Sequence, residues 1–66
     1  MQVWINGEQR DLAEGARVAD ALAALGAPST GVAVAVNGEI VPRAGWPDAV
    51  LTEGSRVEVL TAVQGG

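Results

Sequence analysis

The sequence predicts an α+β domain in which one helix covers one face of a small mixed sheet. Three observations point to it. Val3 and Ile5 alternate with Gln2 and Trp4, and Val57 and Val59 with Arg56 and Glu58, at the period of a half-buried strand. Asn6-Gly7 and Asn37-Gly38 both tolerate positive φ at each position and suit two-residue hairpin loops. Between them, Val18, Ala21, Leu22 and Leu25 fall at i, i+3, i+4 and i+7, one apolar stripe of an amphipathic helix.

The first strand carries Val3 and Ile5 inward and Trp4 outward. After Asn6-Gly7, Glu8 to Leu12 forms the return strand, polar enough to lie at an edge. The helix stops at Gly26, where a C-cap glycine belongs, with Pro28 just beyond. Its start is weaker. Arg17 occupies a position where Ser, Thr or Asp caps better, and Asp20 in the first turn offsets this through the helix dipole. Val32 to Val36 places valines on one face and alanines on the other. Glu39-Ile40-Val41 returns after Asn37-Gly38, and Pro42 ends that strand. Arg43 to Leu51 reads as an irregular connection containing Trp46. Glu53-Gly54 turns into the last strand, Arg56 to Leu60.

Two near-repeats, INGE with VNGE and EGARV with EGSRV, suggest a duplicated unit. Their sequels argue for convergence on turn chemistry instead. After Val18 the apolar period is that of a helix; after Val57 it is that of a strand.

Strand, strand, helix, strand, strand, strand is the order of a β-grasp, the ubiquitin-like fold. Neither sheet nor helix can hide its apolar side alone, so they must pack together. The expected core joins the helix stripe to Val3, Ile5, Val32, Val57 and Val59, with Ile40 and Trp46 closing its ends. The topology places the first and last strands centrally and parallel. The domain is expected over 1–61, with 62–66 as a flexible tail.

Composition narrows the chemistry. A chain of 66 residues is one domain with a small core. It contains no cysteine and no histidine, which removes thiolate metal sites, disulfides and the commonest general base. No paired-carboxylate constellation replaces them, so the protein is expected not to be an enzyme and to bind no metal or resident cofactor. The net charge is −4, and all four cations are arginines: Arg10, Arg17, Arg43 and Arg56. Such a chain will not hold a phosphate backbone, which argues against nucleic acid as a partner. The missing lysine leaves the α-amino group as the internal amine able to attack an activated acyl group. No basic region precedes an apolar run, and Val32 to Val36 is far too short to span a membrane, so a soluble cytoplasmic protein is expected.

The sheet's far face would carry Trp4 and Leu60, with Ala33 and Ala35 beside them, as an apolar docking patch near the root of the tail. The chain then ends Leu60-Thr61-Ala62-Val63-Gln64-Gly65-Gly66. A terminal carboxylate is a poor electrophile until its oxygen attacks the α-phosphorus of ATP and forms an acyl-adenylate. To reach that nucleotide the chain end must enter a narrow cleft, and two residues without side chains permit the close approach.

The combination VNGEIVPRAGW followed by EGSRVEVLTAVQGG resembles the ThiS family, the sulfur carrier proteins of thiamine biosynthesis. The resemblance runs over essentially the whole chain. Its most specific parts are Val41-Pro42-Arg43 with Trp46 and the run from Val59 to Gly66. It departs from many relatives at Arg17, where they carry threonine. The resemblance implies an E1-like adenylyltransferase of ThiF type that consumes ATP at the Gly66 carboxylate. A sulfur donor such as a cysteine desulfurase then supplies sulfur, and the resulting thiocarboxylate feeds a thiazole synthase of ThiG type. On that reading Gly66 carries the sulfur and Gly65 gives access. Trp4, Leu60, Ala62 and Val63 are the inferred docking residues. Three alternatives remain at this point: a carrier serving molybdopterin, cysteine or a secondary metabolite; a ubiquitin-like modifier joined through Gly66 to lysines of targets; and a plain interaction module whose glycines are incidental.

Overall fold

The computed structural model describes residues 1–27 and 30–61. Five strands form one sheet: β1 (Gln2–Ile5), β2 (Glu8–Asp11), β3 (Val32–Val36), β4 (Glu39–Val41) and β5 (Arg56–Thr61). One helix, α1 (Val18–Leu25), crosses between the two hairpins. The spatial order is β2-β1-β5-β3-β4. β1 and β5 run parallel, with Trp4 level with Arg56 and Ile5 with Val57. The β1–β2, β3–β4 and β3–β5 pairs are antiparallel. This is the β-grasp that the sequence predicts, with β5 at its centre and β2 at an edge.

Both Asn-Gly loops behave as expected. Asn6 and Gly7 have φ of 52° and 82°, Asn37 and Gly38 of 51° and 87°, so each loop needs two residues that accept the left-handed region. The two Glu-Gly pairs are also turns, followed by the helix in one case and by β5 in the other. The likeness between the two halves is therefore turn chemistry and not a repeated unit.

The helix start is solved by tertiary contacts. Arg17 has no side-chain acceptor to offer, and the first two helical N–H groups donate elsewhere: Val18 to the Ala49 carbonyl at 2.9 Å and Ala19 to the Trp46 carbonyl at 3.2 Å. The Asp20 carboxylate accepts the Arg17 backbone N–H at 2.8 Å, a direct bond beyond its dipole contribution. The Arg17 guanidinium donates to the Pro47 carbonyl at 2.9 Å. The stretch after β4, a 3₁₀ turn at Arg43–Gly45 and the residues behind it, is thus the cap of α1. At the other end Gly26 has φ of 70°. Its N–H donates to the Ala23 carbonyl and that of Ala27 to Leu22, the pair of bonds of a Schellman motif. The stop signal at Pro28 lies outside the described residues.

The core joins Val18, Ala21 and Leu22 of α1 to Val3, Ile5, Val34, Val57 and Val59 of the sheet. Val32 and Leu25 pack against it as half-buried residues. Trp46 is buried at the core's end, and its indole N–H donates to the Val41 carbonyl at 2.9 Å. One core expectation needs correction. Ile40 does not close the core; it is 72% exposed. The two-residue loop puts Glu39 opposite Val36 and Ile40 opposite Ala35, so Ile40 points with the alanines to the outer face. Leu51, within the connection read as irregular, is buried beside α1 in its place.

Candidate functional site: the outer sheet face and the strand that leads to Gly66

β5 is the strand from which the chain runs on to Gly66. It is paired on both sides, by β1 and by β3. Both hairpin loops also grip it through their asparagines. The Asn6 amide spans Val59, accepting its N–H at 2.8 Å and donating to its carbonyl at 3.2 Å. Asn6 therefore continues the β1 ladder after β1 has ended. Asn37 accepts the Arg56 N–H at 2.9 Å through its side chain, and its own N–H donates to the Arg56 carbonyl at 2.7 Å. In the sequence these asparagines read as turn formers alone. A one-letter pattern holds no sign of the second role, because it depends on which strand lies beside each loop.

β5 alternates cleanly. Val57 and Val59 are buried, while Arg56, Glu58 and Leu60 face outward. Leu60 is 69% exposed and pairs with exposed Ala33 on β3. Trp4 is 41% exposed and sits level with Arg56. Both therefore lie on the outer face, but not together. Four residues of β5 separate their levels, about 13 Å along the strand. Glu58 stands between them, level with Ala35, which in turn faces Ile40. The outer face holds two apolar spots and not one continuous patch.

Each spot borders a depression. One of about 260 Å³ is lined by Trp4, Gly7, Arg56, Val57 and Glu58. The other, about 390 Å³, is lined by Gly31, Val32, Ala33, Leu60 and Thr61. The second adjoins the end of β5 at Leu60 and Thr61. The expected site residues Ala62, Val63, Gly65 and Gly66 lie outside the described residues, as does the boundary expected at 62. Among the described residues no group of three or more His, Cys, Asp or Glu could hold a metal ion. No helix among them is long and apolar enough to cross a membrane.

The Met1 α-amino group lies at the other end of the sheet. It donates to the Leu12 carbonyl at 2.7 Å and pairs with Asp11 at 3.3 Å and Glu14 at 3.6 Å. Partial desolvation is the largest single influence on it and lowers its pKa. The hydrogen bond and charge of Asp11, with Glu14 adding to both, outweigh this and hold it above its ordinary value.

A model of the ThiS family matches residues 3–66, the final glycine included. The chain belongs to the ThiS family. Within it, the chain is 42% identical over 64 residues to the sulfur carrier protein ThiS of Thermus thermophilus, covering 97% of this chain and 98% of that one. The crystal structure of the thiamine biosynthesis protein ThiS from Geobacter metallireducens matches with a TM-score of 0.83 at 30% identity, over the whole of both chains. A thiazole synthase of Paramagnetospirillum magneticum is 35% identical over 66 residues, all of this chain but only 20% of that protein. This ThiS-family member is thus a small sulfur carrier in thiamine biosynthesis.

Proposed function

We propose that the sulfur is carried on the Gly66 carboxylate and that the chain itself catalyses nothing. An E1-like adenylyltransferase of ThiF type binds the carrier and ATP. A Gly66 oxygen attacks the α-phosphorus, pyrophosphate leaves, and an acyl-adenylate forms. The terminal sulfur of a persulfide on a donor such as a cysteine desulfurase attacks the acyl carbon and AMP leaves, giving an acyl disulfide. A thiol then attacks the donor's sulfur in that S–S bond, forming a disulfide with the donor and releasing the carrier's sulfur as a thiolate. The terminus is then a thiocarboxylate, ready to pass its sulfur to a thiazole synthase of ThiG type. ATP is consumed by the activating enzyme and is no resident cofactor of the carrier.

The observation that carries this reading is the construction of β5. The strand is paired on both sides and gripped by two asparagines, and it ends at Thr61, five residues before Gly66. A fixed strand end gives the last residues a defined starting point. An extended stretch of five residues reaches about 17 Å from it, enough to enter a neighbouring active site. Gly65 allows the approach. Leu60, Trp4, Ala62 and Val63 supply apolar contact to the partner. The thiazole synthase whose own chain includes a matching segment supports such an enzyme as the acceptor, since fusion raises the effective concentration of two parts that must meet.

The test is complementation of a thiazole-requiring strain lacking its own carrier. The full chain should restore growth. A chain lacking Gly66 should fail to do so while melting at the same temperature. Restored growth with the truncated chain would remove Gly66 from the chemistry.

A further inference from the structure

An activated acyl group reacts with an accessible unprotonated amine as well as with sulfur, and the amide so formed is irreversible. The amine's nitrogen attacks the acyl carbon, the leaving group departs, and the proton is lost to solvent. A carrier activated at its own end is therefore exposed to its own nucleophiles. In this chain the amine, thiol and imidazole side chains are missing and the α-amino group is tied down. The sequence contains no lysine, cysteine or histidine. Its four cations are arginines, whose guanidinium groups keep their protons throughout the neutral range and cannot attack. Ser55, the buried hydroxyl, is bonded to the Thr52 N–H and faces its Oγ1.

The amine that remains is the Met1 α-amino group, and two independent features withhold it. The first is bonding. Its protons are held by the Leu12 carbonyl, Asp11 and Glu14, which favours the protonated, non-nucleophilic form. The second is placement. Trp4 is level with Arg56, so Met1 lies three residues below that level and Thr61 five above it. Eight residues of strand separate them, about 26 Å. The five residues from 62 to 66 span at most about 18 Å, so Gly66 cannot reach Met1 of its own chain.

We propose that this carrier is built to withhold its amines from its own activated end, so that amide cyclisation and amide conjugation between copies are both suppressed and an external sulfur nucleophile meets no internal amine as competitor. The inference rests on the reading that Gly66 is activated. It also separates this chain from a ubiquitin-like modifier that forms chains through its own lysines.

The test bypasses the activating enzyme. The full chain is prepared with Gly66 as a small-thiol thioester by intein cleavage, held at pH 7 and followed by intact mass. The wild-type thioester should be lost to hydrolysis, with no amide product. R43K introduces an amine on the exposed turn after β4 and should give cyclic or dimeric amide at least tenfold above wild type. D11N combined with E14Q frees the α-amino group and should give dimers joined through Met1, located by tandem mass spectrometry. Amide formation by the wild type at a rate like that of R43K would overturn the proposal, as would the absence of amide in both variants. Because the thioester is made chemically, this result is independent of whether Gly66 is adenylated, which the complementation and mass assays decide separately.

Discussion

The two faces of one strand divide the molecule's work. On the inner side of β5, Val57 and Val59 are buried against α1 and hold the fold together. On the outer side, Arg56, Glu58 and Leu60 are exposed, and Leu60 joins Ala33 beside a depression at the strand's end. Side chains on the inner face are confined by packing, where each lost methylene costs stability. Those on the outer face contribute little to folding and are free to serve a partner. The docking proposed here would use this second face of the described sheet.

The largest effect that would break this division is on the inner face. Leu22→Ala should destabilise the domain by about 2–5 kcal/mol, because it removes buried volume between the helix and the sheet. A melting curve close to wild type would mean the helix stripe bears little of the core. Asn6→Ala comes next, at about 2 kcal/mol, since it leaves Val59 without its side-chain partner and places alanine at positive φ. Hydrogen exchange should quicken at Val59 before it does at Val34; uniform exchange would show that the Asn6 grip is redundant. Leu60→Glu sharpens the contrast from the outer face. It should leave the melting temperature within a degree or two and weaken binding to the activating enzyme about tenfold, roughly 1.4 kcal/mol. Equal affinity by calorimetry would remove Leu60 from the docking surface.

The smallest effect belongs to the Met1 amino group. Its pKa in the folded protein lies above the ordinary 8.0. A raised value means the charged form is favoured by folding. That contribution is complete below pH 8 and fades as pH rises through the higher folded value. Acetylating the group should lower the melting temperature slightly at pH 7 and make little difference well above the folded value. A difference that grew with pH would reverse the sign.

Most of the fold was legible because its devices are local. Two Asn-Gly loops, the i, i+3, i+4, i+7 stripe and the alternation of Val57 and Val59 each announce themselves within a few residues. Ile40 was also legible in principle. The loop length sets it opposite Ala35, and Ala35 alternates with valines that face inward. Leu51 and the capping of α1 by the Trp46 and Ala49 carbonyls were not legible, since irregular backbone has no period to read and its partners are distant in sequence. The same holds for the grip of Asn6 and Asn37 on β5. At the candidate site, the outward turn of Trp4 and Leu60 could be read from the residues. The gap between those two side chains could not, because it depends on the parallel register of β1 and β5.

The most direct measurement is the intact mass of the chain after incubation with ATP, an active ThiF-type enzyme and a sulfur donor, beside a chain lacking Gly66. A gain equal to the replacement of one oxygen by sulfur, confined to the full chain, is the predicted result. An unchanged mass for the full chain, with the same enzyme active on another carrier, would contradict sulfur carriage at Gly66.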